Sequence, residues 1–209
     1  MNVRINYNNS ILKKNHTNKL FFVDENLNIQ SLKNFISSKE YLYVSDLLKN
    51  TDNKKKVSLF EFSSNKSIIL IKIKKNIKTY EIENLGGDFF NFINRLNKKD
   101  FIINSDSLSI KIKNLIGYFL HGVKLKSYKF EKYLTKKEKK NVKITILGKN
   151  KTSLHDQKRF KAIEDGTFYA RDLVSEPGNV LNPDEYAKRL NSLKKIGLKV
   201  NIYNEKKLK

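Results

Sequence analysis

Three histidines, His16, His121 and His155, are the first residues to test for chemistry, and each stands alone. None has a second histidine or a carboxylate at a ligand spacing such as H-x-x-x-H, so no zinc-type site is legible in them. The chain has no cysteine, which removes disulfides and thiolate metal sites. His121 precedes Gly122 in a segment with helical spacing and reads as a satisfied surface or core histidine. Gly86-Gly87-Asp88 lacks the strand–GxGxxG–helix context of a nucleotide loop and reads as a helix interruption. No Gly-x-Ser-x-Gly elbow occurs, which argues against an α/β-hydrolase. The sequence therefore assigns no catalytic residue and no metal ligand.

The elements around these residues alternate between strand and helix patterns. Val3, Ile5 and Tyr7 alternate as an edge-type strand, and Lys19 to Val23 is apolar enough for a more buried one. Two short helices fit between Asn28 and Asn50, with Leu32, Phe35 and Ile36 on one face and Tyr43 and Leu47 on another. Val57 to Phe62 and Ser67 to Ile73 form a hairpin pattern around the polar turn Ser63-Ser64-Asn65-Lys66. Ile77 to Leu96 reads as a helix broken at Gly86-Gly87. Phe101 to Ile103 is a short strand. Ile112, Leu115/Ile116, Phe119 and Val123 place a helix within Asp106 to Phe130, and Val142, Ile144 and Ile146 make a strand that Gly148 ends. Thr135 to Lys140 is a charge run that reads as a solvated loop. This order predicts an α/β domain over residues 1–150.

From Ser153 the pattern changes. Ser153 and Asp156 resemble a capping box, and Phe160, Ile163, Thr167, Ala170 and Val174 step by three and four along one helical stripe. Pro177-Gly178 ends that helix. A second helix is marked by Asn182 as cap, Pro183 at its first position and Glu185 at its third, with Leu181 and Tyr186 placed for a hydrophobic staple. Gly197 closes it, and Leu198, Val200 and Ile202 alternate as a strand.

The formal net charge is +22, which raises the question of nucleic acid. Only five of the 43 basic residues are arginine (Arg4, Arg95, Arg159, Arg171, Arg189), and bidentate phosphate and base recognition favours arginine. Lysines dispersed among Asn and Ile residues fit an AT-rich coding background and a solvated surface, leaving weak non-specific nucleic-acid binding as the expectation. The opening MNVRINYNNSIL shows no signal peptide. The longest apolar stretches fall far short of the roughly 18–20 residues that span a bilayer. A cytoplasmic protein with no membrane partner is expected.

The run Ala170-Arg-Asp-Leu-Val-Ser-Glu-Pro-Gly-Asn-Val-Leu-Asn-Pro-Asp-Glu-Tyr-Ala187, continuing through Gly197-Leu198-Lys199-Val200, resembles the entry into the catalytic domain of the leucyl aminopeptidase family. There an "A-R-D-L-V-N-E-P-x-N-x-L-x-P" run closes the interdomain helix, and Ser175 here replaces the usual Asn. Gly117-Tyr-Phe-Leu-His-Gly122, with Tyr128-Lys-Phe130 and Lys136-Lys137-Glu138-Lys139, is similar to a second family segment. The resemblance implies a mixed β-sheet flanked by helices, macro-domain-like, over residues 1–150. An interdomain helix and turn would follow over 151–178, and the first helix and strand of an α/β catalytic domain over 179–209. It implies structural roles in the interdomain turn for Arg171, Asp172, Leu173, Glu176, Pro177, Asn179 and Pro183; by charge and spacing alone, Arg171 is placed to pair with Asp172 or Glu176. For the full-length enzyme it implies a metallopeptidase with two divalent metal ions, manganese or zinc, releasing N-terminal amino acids from peptides and assembling as a hexamer. The family's metal ligands lie in motifs such as Asn-Thr-Asp-Ala-Glu-Gly-Arg, which this sequence lacks, so no cofactor is expected in the chain itself. A basic nucleic-acid-binding module and a stand-alone assembly module are the alternatives.

Overall fold

The computed structural model describes residues 2–8, 18–50, 55–107, 112–136, 141–203 and 205–208. The chain divides into two compact units, Met1–Glu164 and Asp165–Lys209.

The first unit is built on strands β1 (Asn2–Tyr7), β2 (Asn18–Val23), β3 (Val57–Ser63), β4 (Lys66–Lys72), β5 (Asp100–Asn104) and β6 (Asn141–Leu147). They form one mixed sheet in the order β1-β6-β5-β2-β4-β3. Only the β3–β4 hairpin is antiparallel; every other neighbouring pair is parallel. β2 lies at the centre and is buried along its whole length, as its apolar run requires when helices cover both faces. Leu20 and Phe22 point into one core with Ile69, Ile71, Ile103 and Ile144. Phe21 and Val23 point into a second with Ile68, Leu70 and Phe60.

Helices α2 (Thr79–Asn94) and α3 (Leu115–Ser127) close the first core, with Phe89 and Phe119 at its centre, their rings 5.5 Å apart. A 3-10 turn (Gln30–Asn34) and helix α1 (Ser38–Lys49) close the second through Leu32, Ile36 and Val44. α1 starts on a capping box: the Glu40 N–H donates to Ser37 Oγ, and the Ser37 N–H donates to Glu40 Oε2 at 2.7 Å. The two-helix expectation for Asn28 to Asn50 thus holds, its first member being a 3-10 turn.

Two expectations are corrected here. α2 runs unbroken through Gly86-Gly87. Gly86 lets α2 and α3 come together: a Cβ there would penetrate the Phe119 carbonyl oxygen and stand 3.0 Å from Val123 N. The helix placed within Asp106 to Phe130 begins only at Leu115, after Asn114 in the left-handed region at φ 54°. Residues 104–107 turn instead, with the Asp106 N–H donating to Asn104 Oδ1 at 2.8 Å. Lys137 to Lys140 of the charge run lie outside the described residues.

Helix α4 (Leu154–Ser175) contains the division between the units. Its start matches the Ser153/Asp156 pattern, with the Asp156 N–H donating to Ser153 Oγ at 3.0 Å and that hydroxyl donating to Asp156 Oδ2 at 2.9 Å. The apolar stripe expected along it is not a buried one. Phe160 is buried, whereas Ile163 is half-exposed and Val174 is 88% exposed.

In the second unit, Asn182 Oδ1 accepts from the Glu185 N–H at 2.9 Å, and Pro183 opens α5 (Pro183–Ser192). A 3-10 turn (Leu193–Ile196) follows, ended by Gly197 at φ 90°, and a helical turn α6 (Glu205–Leu208) comes last. The strand expected at Leu198, Val200 and Ile202 is absent: residues 198–203 are coil. Alternation makes a strand only when a neighbour supplies the ladder, and all six described strands belong to the first unit's sheet. Leu198 and Ile202 are accordingly exposed. No helix among the described residues is long and apolar enough to cross a membrane.

Candidate functional site

One set of buried ionisable groups lies where the first turns of α4 meet α3 and β1. A cleft of about 440 Å³ runs there, floored by Val3 to Tyr7 of β1 and walled by Leu120 and Lys124 of α3 and by Phe160 and Glu164 of α4. Gly117 makes the meeting possible, since a Cβ there would stand 2.6 Å from Phe160 Cε2. The Phe160 ring fills that space, edge-on to Tyr118 at 5.3 Å and tilted over His121 at 5.0 Å.

Beneath Phe160, His121 Nδ1 and Glu164 Oε1 are 3.1 Å apart and both residues are buried. His121 is thus the satisfied core histidine its context suggested. Burial raises the Tyr7 hydroxyl above its ordinary pKa, and the negative charge of Glu164 adds to the rise. The imidazole–carboxylate pair anchors helix to helix through its one short contact. Among the described residues no serine, threonine or cysteine is recorded within hydrogen-bond reach of it, so the nucleophile–base–orienter geometry of covalent catalysis is not assembled.

A second feature sits at the carboxyl ends of β5 and β6, where open parallel sheets commonly bind anions. Gly148, at φ 115°, begins a loop whose Lys149 and Asn150 N–H groups converge. The chain's own Asp106 fills that nest: its carboxylate accepts from Lys149 N–H at 2.8 Å and from Asn150 N–H at 2.9 Å. The N–H groups of this nest are thus engaged by a carboxylate of the chain itself.

The resemblance-derived residues fall in the second unit. Arg171, Asp172 and Leu173 occupy the last turn of α4; Glu176, Pro177 and Asn179 lie in the turn after it; and Pro183 is the first residue of α5. One partner of Glu176, Arg189, went unrecognised in the sequence. Its buried carboxylate meets Arg189 Nη1 at 3.0 Å, while Arg189 Nε reaches Glu185 Oε1 at 3.1 Å. Both carboxylates raise the Arg189 pKa above its ordinary value, Glu176 more strongly. The i,i+4 spacing of Glu185 and Arg189 was visible in the sequence; the 13-residue jump to Glu176 carried no signal.

No family model matches the chain. Similarity to individual proteins is clear. A probable cytosol aminopeptidase of Brucella ovis is 41% identical over 97 residues, covering 42% of this chain and 19% of that protein. Another, from Ehrlichia ruminantium, is 35% identical over 136 residues, 60% of this chain and 26% of that protein. Over these segments the chain is similar to probable cytosol aminopeptidases. It spans only about a fifth to a quarter of these aminopeptidases' length. Among solved structures, a mutant of tomato leucine aminopeptidase superposes with a TM-score of 0.72 at 16% identity, covering 99% of this chain and 45% of that one. A bottromycin maturation enzyme in complex with Mn superposes with a TM-score of 0.61 at 11% identity, covering 92% of this chain and 39% of that one. The mixed α/β fold is therefore that of leucine aminopeptidase over the shared region.

A divalent centre of the kind an aminopeptidase implies requires converging carboxylates. Here the buried carboxylates point to separate partners: Glu40 to Lys19 and Lys66, Glu164 to His121, and Glu176 to Arg189. Among the described residues no three His, Asp or Glu side chains are grouped to hold a metal ion. The buried carboxylates among the described residues therefore do not converge as such a centre requires.

Proposed function

We propose that the chain is the N-terminal portion of a leucyl-aminopeptidase-like metallopeptidase, a cytoplasmic enzyme that releases N-terminal amino acids from peptides. Residues 1–150 form its N-terminal domain, 151–178 the interdomain helix and turn, and 179–209 the start of the catalytic domain. Arg171, Asp172, Leu173, Glu176, Pro177, Asn179 and Pro183 shape the interdomain turn. The two divalent ions, manganese or zinc, belong to ligands outside these residues, and the assembled enzyme is a homo-oligomer, hexameric by resemblance. The observation that carries this reading is the 35% identity to a probable cytosol aminopeptidase over 60% of the chain.

The 209-residue chain alone should release no chromophore from a leucyl anilide, with or without added Mn²⁺ or Zn²⁺. Turnover that copurifies with the chain and disappears on chelation would place the metal site within these residues and overturn the assignment.

The charge of +22 supports a second reading, a basic module that binds nucleic acid. Non-specific binding to duplex DNA should have a dissociation constant of about 10⁻⁴ to 10⁻⁶ M at physiological salt and weaken steeply as salt rises. A titration showing one sequence bound about a thousandfold more tightly than random DNA would promote this reading over the enzyme.

A further inference from the structure

β1 is a terminal strand of the sheet, and its outer edge is built to be read. The Asn8 N–H donates to the Ile146 carbonyl, so the polar groups of the even-numbered residues turn toward β6. In a parallel ladder a residue's N–H and C=O point the same way, which directs those of Val3, Ile5 and Tyr7 outward. Lys124 Nζ holds the Val3 carbonyl at 2.6 Å. Among the described residues no strand pairs with this edge. The edge also forms the floor of the cleft between β1, α3 and α4, so a chain laid along it would bury alternate side chains against Leu120 and Phe160.

We infer that this cleft takes an extended, acidic peptide segment of another polypeptide, which adds to the sheet as a seventh strand beside β1. Exposed edges recruit strands through their main-chain groups, and the flanking side chains select among them. Here the lining is basic: Arg4, Lys124 and Lys161 flank the cleft, and the carboxylate of Glu164 beside them meets His121. The same charges disfavour a second copy of this chain, because pairing β1 with β1 would bring those three cations of each copy face to face on molecules each carrying +22. The Lys124 contact leaves the N–H groups of Ile5 and Tyr7 as the principal donors to an incoming strand.

The test uses the 209-residue chain and a fluorescent peptide of alternating glutamate and valine, about eight residues long to match a strand. The peptide should bind in a salt-sensitive manner, and amide exchange at Ile5 and Tyr7 should slow in its presence. N-methylating alternate peptide amides keeps charge and side chains but removes the ladder. It should weaken binding at least about tenfold, the loss expected for two hydrogen bonds. Arg4→Glu with Lys161→Glu, both at exposed or cleft-rim positions, should weaken it comparably, and an alternating lysine–valine peptide should not bind. Binding indifferent to N-methylation, or unchanged exchange at Ile5 and Tyr7, would overturn strand addition. A dimer that protects those amides without peptide would show the occupant to be a second copy and overturn the acidic-peptide assignment.

Discussion

Glu40→Gln should lower the unfolding free energy of the first unit by about 3–5 kcal/mol at neutral pH, the usual effect of removing one member of a buried ion pair. Lys19 lies in the central strand β2 with no exposed side-chain surface, and its ammonium stands 3.4 Å from Glu40 Oε1. Lys66 approaches the same oxygen at 3.1 Å, while Ser37 donates to Oε2 from both its N–H and its hydroxyl. Glutamine keeps the shape and can still accept from Ser37, so the α1 cap survives and the loss isolates the charge. Because replacing both members of a buried pair by apolar or neutral groups is often nearly neutral, Lys19→Met combined with Glu40→Gln should recover much of the stability. Wild type, Glu40→Gln, Lys19→Met and the double variant form a double-mutant cycle.

The same carboxylate sets a pH dependence. Burial by itself would raise the Glu40 pKa, but hydrogen bonds from Ser37 and Lys66 and the charge of Lys19 bring it below the ordinary value. A carboxyl held low in the folded state contributes stability that is fully present above the unfolded glutamate pKa of about 4.3 and is lost as pH falls through the lower folded value. Urea unfolding should therefore show wild type and Glu40→Gln converging in acid and separating as pH rises through that window. Equal stability of the two at neutral pH would show that Glu40 contributes no net stabilisation to buried Lys19.

The legible parts of the fold were those whose signal is local. The apolar run from Lys19 to Val23 announces a strand covered on both faces, and Val142, Ile144 and Ile146 announce one with a single core face; both signals survive folding unchanged. Two caps were equally readable, since Ser153 and Asn182 act on residues three positions away, whereas the Ser37 cap emerged only in the structure. Signals that depend on distant partners were misread or silent. Leu198, Val200 and Ile202 carry a strand's alternation with no ladder to join. His121 and Glu164 meet across 43 residues, and Lys19 meets Glu40 across the sheet-to-helix layer, neither with any sequence cue. The signature from Arg171 to Pro183 carries a family resemblance and no cue to a mechanism: it runs from the last turn of α4 through a short turn to the first residue of α5. Gly86-Gly87 is the sharpest ambiguity: a glycine pair inside a helical pattern looks the same whether the helix breaks there or another helix presses against it.

Gly122→Ala separates those two meanings by the sign of its effect. In an exposed helix interior, alanine is favoured over glycine by about 1 kcal/mol. At Gly122 that gain meets the backbone of α2: the added methyl would overlap the Glu83 carbonyl oxygen and stand 2.6 Å from its carbon and 2.8 Å from its Cα. Gly86 faces α3 in the reciprocal way, through the Phe119 carbonyl. Main-chain atoms cannot rotate away as a side chain does, so the helices must separate. Separation would also loosen Phe89 from Phe119 and Ile82 and Val123 from the core they share. Overpacking of this kind costs about 1–3 kcal/mol and occasionally more, enough to exceed the helical gain. Gly87→Ala is the control one residue along: its methyl would meet nothing closer than Lys126 Cβ at 3.8 Å, an ordinary contact, so the helical preference should appear as a stabilisation of up to about 1 kcal/mol. Thermal unfolding should thus move the midpoint down for Gly122→Ala and Gly86→Ala and up for Gly87→Ala. If all three rise together, α2 and α3 are not held in backbone contact, and the glycines serve neither as a break nor as a seam.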